Sequence, residues 1–98
     1  MINLLGLAAR ARKITSGTEI TINGVRSKKV KLVLLATNAS DNTKKLVYDK
    51  CKTYDTKVIE LYDSIALSNA IGKNNIMVVG IIDIGFSNKM LKLEKEVN

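Results

Sequence analysis

The run Val30-Lys31-Leu32-Val33-Leu34-Leu35-Ala36 is apolar at every position except Lys31. A strand with one wet face alternates apolar and polar residues, so an unbroken run predicts a strand covered on both faces, as in layered α/β proteins. Met77 to Ile82 (MVVGII) reads the same way. Lys57 to Leu61 (KVIEL) supplies a shorter strand, and Arg12 to Thr15 a short edge strand.

Between these runs the spacing becomes helical. Residues 2 to 11 (INLLGLAARA) place Ile2, Leu5 and Ala9 on one face. Ser16-Gly17-Thr18-Glu19 has the S-x-x-E form of a capping box and predicts a second helix from Gly17 to about Ser27. Ser40 to Thr43 offers caps for a third helix to about Thr53, with Val47, Cys51 and Tyr54 inward. Asp63 or Ser64 caps a fourth, which stops at Gly72. A fifth starts at about Gly85 or Ser87, with Met90, Leu91 and Leu93 inward. The order predicts an α/β fold, a three-layer α-β-α sandwich with a small mixed sheet of about four strands.

The chain of 98 residues, 46% hydrophobic and 26% charged, is the size and composition of one globular domain. Its single cysteine, Cys51, reads as a core filler, and without histidine no Cys/His metal set exists. The lack of histidine also removes the usual base near neutral pH and every Ser-His or Cys-His nucleophile pair. Asp41, Asp63 and Asp83 fall near helix starts, where capping explains them, and no glycine spacing fits a phosphate-binding loop. No catalytic residue, metal or cofactor is therefore expected. The apolar run Ile2 to Ala9 is followed by cations, the reverse of a signal peptide, and no stretch is long enough for a membrane span. A cytoplasmic monomer without membrane contact is expected.

Charge is unevenly placed. Arg10, Arg12, Lys13, Arg26, Lys28, Lys29 and Lys31 stand against one acid, Glu19, in the first 31 residues, which thus hold six of the seven net positive charges. The commonest partner of such a patch is a nucleic-acid backbone, and a solvated basic face is the bland alternative. Without proline, the turns fall to Ser16-Gly17, Thr37-Asn38, Gly72 to Asn75 and Asp83 to Gly85. Loops at strand ends are where α/β domains place binding groups.

The strings LLGLAARARKITSG (4–17), VLLATNASDNTKKLVYDKC (33–51), ALSNAIGK (66–73) and MVVGIID (77–83), in this order and spacing, resemble the ribosomal protein L7Ae family of kink-turn RNA-binding proteins. The likeness covers essentially the whole chain and is greatest with short bacterial members. It implies an α-β-α sandwich that binds an internally bent RNA helix through the start of its second helix and two neighbouring loops. In that family a Gly-x-Asn-Glu-x-x-Lys stretch reads sheared G·A pairs, and a more apolar loop after the fourth helix covers an extruded nucleotide. Laid without gaps from Gly17, this chain has Thr18 at the variable place, Glu19 for the Asn, Ile20 for the Glu and Asn23 for the Lys. Asn23 keeps hydrogen bonds to a base edge but lacks the cation, and Ile20 offers apolar contact alone.

The same residues can be read on their own chemistry. Gly17 lets a backbone approach the first turn of a helix, whose N–H groups favour an anion. Arg10, Arg12 and Lys13, just upstream, are expected to neutralise phosphates. Glu19 either closes the capping box or accepts from a base amino group. Lys73, Asn74, Asn75 and Ile76 suit phosphate contact plus packing on an unstacked base, and equally suit an ordinary helix C-terminus. Thr37 and Asn38 fall at the family's third contact loop, or simply end the central strand. Tyr48, Tyr54, Tyr62 and Phe86 are dispersed, without the stacking platform of single-strand binders.

The expectation is a non-enzymatic protein that binds kink-turn or similarly bent structured RNA, ribosomal or other noncoding, with the ribosome among its partners. The alternative is a protein-interaction module on the same fold meeting an acidic partner. A pulldown treated with ribonuclease separates the two, because only direct partners survive it.

Overall fold

Leu32–Leu35 and Val78–Ile81 are buried at every position, as two unbroken apolar runs require. They form the centre of a sheet in the computed structural model, which describes residues 1–97. The elements are α1 (Ile2–Arg10), β1 (Ile14–Ser16), α2 (Thr18–Arg26), β2 (Leu32–Leu35), α3 (Asp41–Thr53), β3 (Lys57–Ile59), α4 (Ser64–Ile71), β4 (Val78–Ile81) and α5 (Ile84–Val97). Strand order is β1-β4-β2-β3, with β4 antiparallel to both neighbours and β2 parallel to β3. The sheet is therefore mixed, and its edge strands of three residues each leave little backbone unpaired.

Helices α2 and α3 pack together on one face, and α1, α4 and α5 on the other. Leu5 and Ala8 of α1, Ile22 and Val25 of α2, Val47 and Cys51 of α3, Leu67 of α4 and Met90 of α5 close the core. Burial pushes the Cys51 thiol up to about 11, so this cysteine fills space and is no nucleophile. Ser40 caps α3 by accepting from the Thr43 N–H at 3.2 Å, and Asp63 caps α4 by accepting from the Ala66 N–H at 2.8 Å. Among the described residues no helix is long and apolar enough to cross a membrane.

Several boundaries differ from the sequence expectation, the strands of the apolar runs being shorter, at Leu32–Leu35, Lys57–Ile59 and Val78–Ile81. Helix α1 closes with Arg12 in the left-handed region (φ 59°), and the N–H groups of Arg12 and Lys13 bond back to Ala9 and Ala8. Those two residues belong to a helix-ending turn, so β1 starts at Ile14 rather than Arg12. Strand pairing then runs on through Ser16, opposite Val79, which removes Ser16 from capping. The Ser16–Glu19 capping box does not form: the cap of α2 is Gly17, with no side-chain bond to the first turn. Helix α5 begins at Ile84, ahead of Gly85 or Ser87, because Asp83 Oδ2 accepts from the Phe86 N–H at 2.9 Å. In α1 the fully buried residues are Leu5 and Ala8 rather than Ile2 and Ala9, since this helix is wedged between α4 and α5.

Candidate nucleic-acid interface

One rim of the sheet gathers the C-terminal ends of β1, β2 and β3 and the N-terminal end of β4, since Ser16 pairs with Val79, Leu35 with Val78 and Leu34 with Ile59. Backbone bonds lock the connections there. The Gly17 N–H donates to Val78 O at 2.9 Å, the Ala36 N–H to Met77 O at 2.8 Å and the Thr37 N–H to Tyr62 O at 2.9 Å. Gly17 to Ile20, Thr37-Asn38 and Lys73 to Ile76 are thereby brought to one end of the molecule.

Gly17 has φ 100° and ψ 151°, a conformation that glycine alone takes readily. A Cβ there would find no atom within 4 Å. The first helical bond of α2 runs from the Thr21 N–H to Gly17 O at 3.1 Å, so Thr18, Glu19 and Ile20 occupy the turn whose N–H groups have no intrahelical partner. Glu19 is exposed in that turn, where its charge is favourable to the helix dipole, and it is not a capping-box partner. Ile20 is 62% exposed. Asn23, one turn below Glu19, lines a cleft of about 360 Å³ with Thr18, Glu19 and Arg26. Of the α2 stretch marked out by sequence, Thr18, Glu19 and Asn23 share this cleft, and Gly17 and Ile20 are not among its lining residues.

Asn38 has a structural task. Its Oδ1 accepts from the Ser64 N–H at 2.8 Å and its Nδ2 donates to Ser64 Oγ at 3.1 Å, which ties the loop after β2 to the start of α4. An amide has four hydrogen-bonding capacities, so one donor and one acceptor remain for a ligand. Asn38→Ala is expected to cost about 1–3 kcal/mol in a denaturant melt, because the Ser64 N–H, on a buried residue, loses its acceptor. Unchanged stability would show that water replaces the amide without loss.

The Lys73 loop is pinned as firmly. Gly72 ends α4 at φ 70°, the Lys73 N–H bonds to Ser68 O at 2.9 Å, and the Ile76 N–H bonds to Ser68 Oγ at 2.9 Å. Asn75 sits at φ 57°, which asparagine tolerates better than most residues. Asn74 and Asn75 face Ser64, Ile65, Ser68 and Asn69 across a cleft of about 250 Å³. Ile65, 68% exposed beside it, is a residue the sequence reading missed. Its signal was available: the inward face of α4 is Ser64, Leu67 and Ser68, and an isoleucine off that stripe has no core role.

The cations divide. Arg10 ends α1 and lines, with Asn69 and Gly72, a groove of about 340 Å³, so it stands beside the Lys73 loop. Arg12 and Lys13 do not join Gly17. Lys13 O accepts from the Ile82 N–H at the other end of β1, and four extended residues carry the chain roughly 13 Å from there to Gly17. The cationic approach to α2 expected from sequence adjacency is thus split by the strand between, leaving Arg10 and Lys73 as the predicted cations near the loops. Among the described residues no three His, Cys, Asp or Glu side chains form a group that could hold a metal ion.

A family model described as the ribosomal protein L7Ae/L30e/S12e/Gadd45 family matches residues 1–91. The RNA-binding protein YlxQ of Bacillus subtilis (strain 168) is 44% identical over 90 residues, 92% of this chain and 90% of its own length. The RNA-binding protein YlxQ of Enterococcus faecium is 44% identical over 92 residues, covering 94% and 88%. A solved structure from Bacillus halodurans, of unknown function, superimposes with a TM-score of 0.91 at 41% identity over 94% of this chain and 93% of that one. The Giardia lamblia 15.5kD RNA binding protein gives 0.79 at 20% identity over 98% and 82%, a likeness of fold.

Proposed function

The chain belongs to the ribosomal protein L7Ae/L30e/S12e/Gadd45 family, and on that premise we propose that it is a non-enzymatic, monomeric RNA-binding protein of the cytoplasm that docks its loop rim on kink-turn or similarly bent structured RNA, ribosomal or other noncoding. The observation that carries this reading is Gly17: a side-chain-free cap, open to solvent, at the start of a helix flanked by two hydrogen-bonded loops. The relatives named as RNA-binding proteins support the ligand class.

In the proposed complex the first-turn N–H groups at Thr18 and Glu19 receive a phosphate. The Glu19 carboxylate accepts from a base amino group, Ile20 packs against the groove, and Asn23 meets a base edge. Lys73 and Arg10 neutralise phosphates, Asn74, Asn75 and Ile76 cover an unstacked nucleotide, and Thr37 and Asn38 border the contact.

A gel-shift titration comparing an RNA that carries a bent internal loop with a straight duplex of equal length tests the proposal. Tenfold or tighter preference for the bent RNA is expected, and equal affinity counts against it. Asn23→Lys puts a cation one turn below Glu19 and is expected to tighten bent-RNA binding, steepening the salt slope by about 0.7–0.9 for one added phosphate contact. No gain would mean that Asn23 does not face the RNA.

A further inference from the structure

The rim opposite the loops carries more uncompensated positive charge than the loop rim. Ile14, Ile81, Leu32 and Lys57 form one row across the four strands, about 14 Å wide. Just beyond this row, Lys13 O accepts from the Ile82 N–H at 2.9 Å and the Lys31 N–H donates to Ile81 O at 2.7 Å. The turns that follow α1 and α2 lead into this rim and bring Arg12, Lys28 and Lys29. Six exposed cations thus meet two acids, Asp55 and Asp83, and Asp83 is committed to the Phe86 N–H. Among the described residues none of the six forms an ion pair.

Two details separate this patch from an ordinary solvated face. Arg12 (φ 59°) and Lys28 (φ 65°) occupy the left-handed position that closes their helices, with the next residue's N–H bonding to Ala8 O and Gly24 O. Glycine is the unstrained choice there, and α4 uses Gly72 in the same role on the loop rim. Three helices close at the opposite rim with backbone strain, and two of them gain a cation by it, α3 closing with Asp55 at φ 56°. The ammonium groups are also held in place: Lys28 Nζ donates to Tyr54 O, 5.8 Å from that ring's centroid, and Lys31 Nζ donates to Lys28 O at 2.8 Å. Each keeps protons for an anion. The helix dipoles of α1 and α2 account for cations at their own ends, but Lys31 and Lys57 end no helix.

We propose that this rim is a second RNA surface, which grips the phosphate backbone of a duplex segment distinct from the one at the loops. None of its six cations lines the clefts around α1, α2 and α4, so its charge is set apart from the loop-rim clefts, as suits sequence-independent phosphate contact. Because the two rims lie at opposite ends of the strands, one molecule holds two RNA segments at once. This assignment goes beyond the loop-rim reading and does not depend on what the loops recognise.

The test uses the full chain and a straight RNA duplex without an internal loop, titrated between 50 and 200 mM salt. Arg12→Gly, Lys13→Ala and Lys57→Ala are combined; the glycine suits φ 59°, so the melting temperature is expected to hold or rise. The triple variant is expected to lose about tenfold or more in affinity at low salt and to flatten the salt slope by about 2.7 for three lost contacts on a duplex. Arg10→Ala with Lys73→Ala is expected to weaken bent RNA while leaving the straight-duplex slope in place. The proposal is overturned if the folded triple variant keeps its slope and affinity, or if the Arg10/Lys73 variant loses as much on the straight duplex. Displacement of the duplex by polyglutamate at equal charge concentration also overturns it, since the rim would then suit an acidic protein as well as RNA.

Discussion

Gly80→Ala is expected to lower stability by about 1–3 kcal/mol and the melting temperature by roughly 5–20 °C. Gly80 lies in the central strand β4, between Thr15 and Val33, beneath α2. A Cβ there would stand 2.4 Å from Thr15 Oγ1, 2.9 Å from Val30 Cγ2 and 3.0 Å from Thr21 Cγ2, and none of the three can swing away freely. Thr15 Oγ1 shares a 2.9 Å hydrogen bond with Thr21 Oγ1, and Thr21 is fully buried. Turning Thr15 aside leaves that hydroxyl unpartnered in the core, and lifting α2 moves the helix that begins at Gly17. The variant is therefore expected to lose RNA affinity together with stability. Gly6→Ala is the opposite case: its Cβ would rest 3.4 Å from Ala70 O inside α1, an ordinary contact, and helix propensity favours alanine by up to about 1 kcal/mol. Thermal melts of the two variants should move in opposite directions. If Gly80→Ala melts with the wild type, the close seat of α2 on the sheet is wrong.

The strands were the most legible part of this fold because burial on both faces writes itself into composition. VKLVLLA and MVVGII admit few other readings. Capping was legible as a choice, among Ser40 to Thr43 for α3 and between Asp63 and Ser64 for α4, and the structure selects Ser40 and Asp63. Ser16 was misread for a physical reason: the pattern S-x-x-E does not reveal that the serine's backbone belongs to a strand partner, Val79, which decides where the helix can begin. The expected approach of Arg12 and Lys13 to the start of α2 was misplaced by the same kind of event. Residues 13 and 17 are close in sequence, yet a three-residue strand between them puts their backbones at opposite rims. Charge counted along the chain is not charge gathered in space, and only the register of β1 on β4 tells which rim each cation reaches. Ile65 stands off the inward stripe of α4, a weak signal because a single exposed isoleucine is common on protein surfaces; its place beside Asn74 and Asn75 gives it meaning.

Gly17→Ala should separate the loop rim's role in binding from its role in folding. At φ 100° and ψ 151° an L-alanine is strained by about 1–3 kcal/mol, and the added methyl meets no protein atom within 4 Å. The stability cost is thus confined to the backbone and is relieved by shifting the first turn of α2. That shift moves the N–H groups of Thr18 and Glu19 and puts a methyl where a phosphate is proposed to approach. Bent-RNA affinity is therefore expected to fall by more than tenfold, about 1.4 kcal/mol, at a temperature where circular dichroism shows the variant folded. Thr18→Ala keeps the glycine and the backbone path, so binding is expected to stay within about twofold, a few tenths of a kcal/mol. The comparison matters because Gly17 is already held from behind by the Val78 carbonyl, which leaves its front face as the one the substitution changes. Should folded Gly17→Ala bind like the wild type while Arg10→Ala with Lys73→Ala weakens bent RNA, the nucleotide chain rests on the Lys73 side of the rim and α2 serves only to support it.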